Sequence, residues 1–238
     1  MSIKVVTGAN RGIGLALAQL YLEKSDTVYA GVRTPAEAQR LQELAKEHKR
    51  LRILPLDVTS ESSITNFKHA IDGAIDTLIH CAGIFGPKAP AGPGMEEFAG
   101  QPIDEITRSE WLNIFDVNTI SPFMVTRALR SKFTRNAKVV LISSLLGSLA
   151  FNTNGMSYIY NSSKAALNMV GRSLAVDLGE QGTSVCMIHP GWVKTNMGGK
   201  NAEITPEQSA VGVHQVISDL CLDTSGQFFD YDGSAMDW

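Results

Sequence analysis

The chain has 238 residues, 44% of them hydrophobic, which suits one α/β domain with a sizeable core. A formal net charge of −3 and a pI of about 6.0 remove the electrostatic case for nucleic acid or an anionic membrane as partner. Cys81, Cys186 and Cys221 are odd in number and far apart, so their spacing excludes a disulfide framework or a zinc site. The apolar run from Ile3 to Val6 is too short for a signal peptide, and Lys4 interrupts it. No segment approaches the roughly 18 apolar residues of a membrane helix. A cytoplasmic protein is expected.

In chain order, Ile3 to Thr7 reads as a strand, Gly8-Ala9-Asn10-Arg11-Gly12-Ile13-Gly14 as a turn, and Leu15 to Leu22 as a helix. Strand, glycine turn and helix together form a dinucleotide cradle. The glycines let the backbone approach the pyrophosphate, and the helix N-terminus favours the anion. Thr27 to Val32 is a second strand that ends at Arg33, and Thr34-Pro35-x-Glu37 opens a helix. Leu51 to Leu56 is a third strand, leading to Asp57-Val58. Thr59 or Ser60 caps the next helix. Asp76 to Cys81 is a fourth strand, with Ala82-Gly83 turning out of it. The alternation predicts a Rossmann-type, doubly wound parallel sheet with helices on both faces, in a single domain over residues 1–238.

Residues 85–103 are rich in proline and glycine and read as a long loop, either a lid or a plain surface excursion. Thr107-x-x-Glu110 is a capping box, and the helix it opens carries Asn118 before Pro122 disturbs it. Lys138 to Ile142 is a fifth strand, with Ser143-Ser144 at its C-terminal end, where ligands of open α/β sheets bind. Ser143 reads as a turn cap. A loop from Leu145 to Met156 leads to a helix from Tyr158 to Leu178. Ser184 to His189 is a sixth strand ended by Pro190-Gly191. Thr205-Pro206-Glu207 opens a further helix, and Gln227 to Phe229 is a last strand.

Tyr160 and Lys164 stand one helical turn apart on one face. A phenol has an ordinary pKa of roughly 10. An ammonium beside it is expected to lower that value, so the pair can exchange a proton near neutrality. At the end of the second strand there is no carboxylate to accept from both ribose hydroxyls, as NAD-selective sites require. Arg33 offers a planar donor fork for a 2′-phosphate instead, and Arg11 approaches from the first loop. NADP(H) is therefore expected over NAD(H).

Thr7-Gly8-x-x-x-Gly12-x-Gly14, Asp57, Ala82-Gly83, Asn118, Ser144, Tyr160-x-x-x-Lys164 and Pro190-Gly191-x-x-x-Thr195 occur in this order. With them the chain resembles the short-chain dehydrogenase/reductase family over nearly its whole length. Ile142 to Ser148, His189 to Thr195, Met197-Gly198-Gly199 and Phe228 to Gly233 resemble its C-factor and sniffer-type carbonyl reductases. The resemblance implies a reductase that transfers hydride between NADP(H) and a carbonyl or alcohol. Tyr160 would be the acid, Lys164 the ribose ligand, Ser144 the orienting hydroxyl, and Asn118 the holder of a water. Cofactor contacts would fall at Gly8, Asn10, Arg11, Gly12, Ile13, Gly14, Arg33, Asp57, Val58, Ala82, Gly83, Tyr160, Lys164, Pro190, Gly191, Val193 and Thr195.

His80-Cys81 replaces the usual asparagine before Ala82-Gly83, and Asn152 to Gly155 form a small insertion between Ser144 and Tyr160. Leu145, Leu146, Phe151, Met156, Trp192 and Met197, with Phe85, predict an apolar mouth for ketones, aldehydes or quinones. The wide apolar arc of the 158–178 helix predicts a homodimer or homotetramer. The alternative function is a dinucleotide-binding regulatory or signalling protein without turnover.

Overall fold

A computed structural model describes residues 2–86, 103–153, 155 and 157–238. Its seven strands are β1 (Ile3–Thr7), β2 (Thr27–Val32), β3 (Leu51–Pro55), β4 (Ile75–His80), β5 (Phe133–Ile142), β6 (Ser184–His189) and β7 (Phe228–Asp230). They form one sheet in the order β3-β2-β1-β4-β5-β6-β7, and every neighbouring pair is parallel. The helices are α1 (Gly12–Glu23), α2 (Gln39–Glu47), α3 (Glu61–Ala70), α4 (Arg108–Phe115), α5 (Ser121–Leu129), α6 (Tyr158–Gly179) and α7 (Pro206–Asp219). This is the Rossmann-type, doubly wound arrangement, in a single domain.

The central strands are continuous apolar runs because helices cover both faces of the sheet. Side chains alternate between the two layers. Val6, Ile79, Val140 and Ile188 face α1, α2 and α7, where Leu17, Leu41 and Val213 meet them. Val5, Leu78, Val139 and Met187 face α3, α5 and α6, where Phe67, Leu129 and Leu167 meet them. Helix α6 lies unusually close to the sheet at Gly171, where a Cβ would fall 2.1 Å from Met187 Sδ.

Three elements differ from the sequence reading. The helix after β2 begins at Gln39, not at Thr34. Pro35–Glu37 form a separate 3₁₀ turn, Thr34 makes no side-chain cap, and Ala38 leaves the helical region at ψ 59. Strand β5 begins at Phe133 rather than Lys138, because its polar start pairs with β4 across a register shift between Ile75 and Thr77. The last strand is displaced by one residue, to Phe228–Asp230. The Thr107–Glu110 capping box is present in full at the head of α4, and Ser60 caps α3 by accepting from Ser63 N. Between α4 and α5, Asp116–Ile120 form a π-helical turn, and α5 restarts with Pro122 in its first turn. Such turns recur at functional sites, and this one carries Asn118. Of the suggested 85–103 loop, residues 87–102 lie outside the described residues, as does Met156.

Candidate active site

A cleft of about 650 Å³ opens at the C-terminal edge of the sheet. The turn after β1 lines it with Gly8, Asn10, Arg11, Gly12, Ile13 and Gly14. Gly8 and Gly12 have φ of +67° and +56°, which glycine adopts without penalty. The turn is also tight: a Cβ on Gly8 would lie 2.7 Å from Ala82 Cα, and one on Gly14 2.6 Å from Gly8 O. Helix α1 starts beyond it with no side-chain cap and no acid in its first turn. Its leading N–H groups thus have no side-chain acceptor of their own, which is the condition for holding a pyrophosphate. The cradle fits a dinucleotide.

The cleft wall continues through Arg33 after β2, Asp57 and Val58 after β3, and Ala82 and Gly83 after β4. Asp57 accepts from Thr59 N and Oγ1 at 3.0 and 2.8 Å, and these bonds hold its carboxyl below the usual range. Tyr160, Lys164, Pro190 and Thr195 complete the wall. Thr195 Oγ1 accepts from Gly198 N at 3.0 Å, and its methyl lies 3.1 Å from where a Gly12 Cβ would be. Gly191 and Val193 lie outside the wall. Gly191 turns at φ +80° against Ile204 and Tyr231, and buried Val193 pairs with Ile204 in a short bridge. Met197, expected at the apolar mouth, also lines the cleft, as do Thr34, Glu37, Arg40, Lys194 and Asn196, which escaped the sequence reading as site residues. Thr34, Lys194 and Asn196 each flank a residue already assigned to the site, whereas Glu37 and Arg40 gave no such signal.

Tyr160 and Lys164 are both buried in the first two turns of α6. The Lys164 ammonium donates to Ile142 O at 2.8 Å and stands 5.8 Å from the centre of the Tyr160 ring. Burial lowers the Lys164 pKa to about 8. Burial raises the Tyr160 pKa to about 12, against the pull of its hydrogen bond with Ser144. This reverses the expected lowering of the phenol. Desolvation penalises the phenolate more than the Ser144 hydroxyl rewards it. The Tyr160 ring lies 4.6 Å from that of Phe85, and its hydroxyl faces Met197 Sδ at 4.0 Å. An aromatic ring and a thioether thus flank the Tyr160 side chain.

Asn118 is fully buried outside the cleft wall. Its Oδ1 accepts from Ile84 N at 2.9 Å, and its Nδ2 donates to Ile84 O at 2.8 Å and Ser163 Oγ at 3.0 Å. The side chain thus ties the segment after β4 to α6. Ser144 also lies outside the wall, and its Oγ accepts from Leu146 N at 3.2 Å. Ser143 is not a turn cap, as the sequence suggested: its hydroxyl turns inward and donates to Asn168 Oδ1 at 2.6 Å. His80 hydrogen-bonds Thr126 Oγ1 at 2.9 Å, and burial lowers its pKa to about 3, so it serves the core as a neutral ring. Among the described residues, no three His, Cys, Asp or Glu side chains converge as metal ligands, and no helix is long and apolar enough to cross a membrane.

The family model described as short chain dehydrogenase matches residues 2–205. The chain belongs to the short-chain dehydrogenase/reductase family of oxidoreductases. Among its relatives, C-signal of Myxococcus xanthus is 36% identical over 168 residues, which cover 70% of this chain and 94% of that protein. An NADPH-bound carbonyl reductase from chicken fatty liver superposes with a TM-score of 0.89 at 32% identity, covering 100% of this chain and 98% of the other. Carbonyl reductase Sniffer of D. melanogaster also gives 0.89, at 31% identity, with coverage of 100% and 99%.

Proposed function

We propose that this oxidoreductase is an NADPH-dependent carbonyl reductase. The observation that carries the reading is the joining of two chemistries by one cleft: Arg11 and Arg33 in one part of its wall, Tyr160 and Lys164 in another. NADPH, when bound, supplies the hydride. Its pyrophosphate would be held at Gly8, Asn10, Gly12, Ile13 and Gly14, its adenine bordered by Asp57 and Val58, and its nicotinamide side held along Ala82, Gly83, Pro190 and Thr195. Lys164 would give up Ile142 O for the ribose. Ser144 donates to the substrate oxygen and Tyr160 protonates it. Asn118 holds the backbone of Ile84 beneath them. Phe85 and Met197 beside the phenol favour an apolar ketone, aldehyde or quinone. The NADPH-bound relative supports the cofactor assignment.

A hydrogen bond to a charged group contributes about 1.5–3 kcal/mol, or one to two powers of ten in affinity. NADPH is therefore expected to exceed NADH by at least about tenfold in kcat/KM. Arg33→Ala should remove most of that margin by weakening NADPH alone. Steady-state rates with both cofactors and a panel of apolar carbonyls and sugars test this. Equal use of both cofactors, with Arg33→Ala indifferent, overturns the cofactor assignment; sugars outrunning apolar carbonyls overturn the substrate class. The likeness to C-signal favours a second reading, a signalling protein that binds the cofactor without turnover. Cofactor binding with no oxidation across the panel would select it.

Assembly belongs to the same proposal. Met169 and Val176 on α6 are 68% and 73% exposed, and Leu112 on the adjacent α4 is 59% exposed. We propose that these helices pack across a two-fold axis in a homodimer or homotetramer. Light scattering should give a multiple of the 25.7 kDa chain mass, and Met169→Glu with Val176→Glu should split it. A wild-type monomer at micromolar concentration would sink the idea.

A further inference from the structure

Three consecutive residues at the end of β5 and its exit engage three residues spaced by four along α6. Ile142 O accepts from Lys164 Nζ at 2.8 Å. Ser143 Oγ donates to Asn168 Oδ1 at 2.6 Å. The Ser144 hydroxyl pulls the pKa of the Tyr160 phenol down. Positions 160, 164 and 168 share one helix face, and adjacent side chains of extended backbone point to opposite sides. Ser144 therefore faces the phenol while Ser143 faces inward, one helical turn beyond Lys164. Asn168 is 3% exposed and Ser143 2%, so their bond is shielded from water. Asn168 Nδ2 also donates to Gly147 O at 3.4 Å, which ties in the turn that follows Ser144.

The surrounding packing has no slack. A Cβ on Gly147 would lie 2.8 Å from both the carbonyl carbon and Cβ of Lys164. Gly171 holds α6 against β5 and β6 through Leu141 and Met187 in the same way. Of the three ties, two are needed elsewhere during turnover. Lys164 leaves Ile142 O when it takes the ribose, and Ser144 and Tyr160 turn to the substrate. Ser143 lines the cleft, but its hydroxyl is already committed to Asn168, so this tie is the one left free to persist.

We propose that Asn168, acting through Ser143, is a positioning residue that sets the separation of Ser144 from Tyr160 throughout the reaction. The proposal rests on the reductase reading above. Asn168→Ala and Ser143→Ala are each expected to lower kcat by about tenfold to a hundredfold, the cost of an ångström-scale misplacement. Cofactor affinity should stay within about twofold. Because the two residues share one bond, the double variant should cost little more than either single one. A role confined to stability would lower the folded fraction and leave kcat per folded molecule unchanged. Ser143→Thr, which keeps the hydroxyl, should restore most of the rate. Should Asn168→Ala fail to fold, Ser143→Ala decides alone.

Variants with kcat per folded molecule unchanged overturn the proposal, as does a parallel loss of cofactor binding and rate. A wild type without turnover on any carbonyl would instead sink the reductase reading. The inference is then judged by crystal structures of wild type and Ser143→Ala. A Ser144–Tyr160 hydrogen bond retained in the variant overturns it, and a widened separation supports it.

Discussion

Tyr160→Phe is expected to bind NADPH about as well as the wild type and to lose about 10²–10⁴ in kcat, the usual worth of a placed general acid. The substitution is clean because the ring is already held by its tilted stack on Phe85, 4.6 Å away, and phenylalanine preserves that contact. Only the hydroxyl goes, and with it the hydrogen bond to Ser144. Stability should change by about 1 kcal/mol, the typical net value of one such bond. Binding titrations by cofactor fluorescence and single-turnover rates separate the two effects. A variant that retained more than a tenth of the wild-type kcat would remove Tyr160 from the role of acid.

Lys164→Met should abolish most activity, and the stability of the cofactor-free variant relative to the wild type should be greater at neutral pH than at high pH. The lysine is buried, and burial lowers its pKa from the ordinary 10.5 to about 8. Between those values the unfolded chain holds a proton that the folded chain has released, so wild-type stability rises with pH there. Below pH 8 both states hold the proton, and the folded state carries the full cost of the buried charge, about 3 kcal/mol. Methionine carries no such cost but leaves Ile142 O without its 2.8 Å donor, which costs about 1–3 kcal/mol at every pH. The stability of the variant minus that of the wild type should therefore fall by about 3 kcal/mol between pH 8 and 10.5. Urea unfolding across that range measures it. A flat difference would mean that Lys164 keeps an ordinary pKa in the fold.

Much of the architecture is written in local pattern. The buried strands show as unbroken apolar runs, and α6 runs from Tyr158 to Gly179, within a residue of where its periodicity placed it. Capping chemistry marked α4 and α7, whose Thr205 and Gln208 complete a second box. What stayed hidden depends on partners distant in sequence. The inward turn of Ser143 needs Asn168, and the closed amide of Asn118 needs Ile84. The sign of the Tyr160 shift was misread because spacing reports a neighbouring charge but not the loss of water around it. The start of α2 was misread because Thr34-Pro35 has capping residues, while the backbone at Ala38 breaks the continuity behind them.

The order β3-β2-β1-β4-β5-β6-β7 has a consequence for synthesis. From β5 onward, each strand leaving the ribosome adds to an edge that its predecessor has just created, so the sheet grows in one direction with the chain. Among these later edges that of β4 waits longest, since β5 begins at Phe133 and β4 ends at His80. During that wait Leu78 and Ile79, fully buried in the finished protein, lie on an open strand edge, the kind of template that invites pairing with another nascent chain. Translation rate across the intervening codons therefore bears on yield more than it would for a sheet closed by short hairpins.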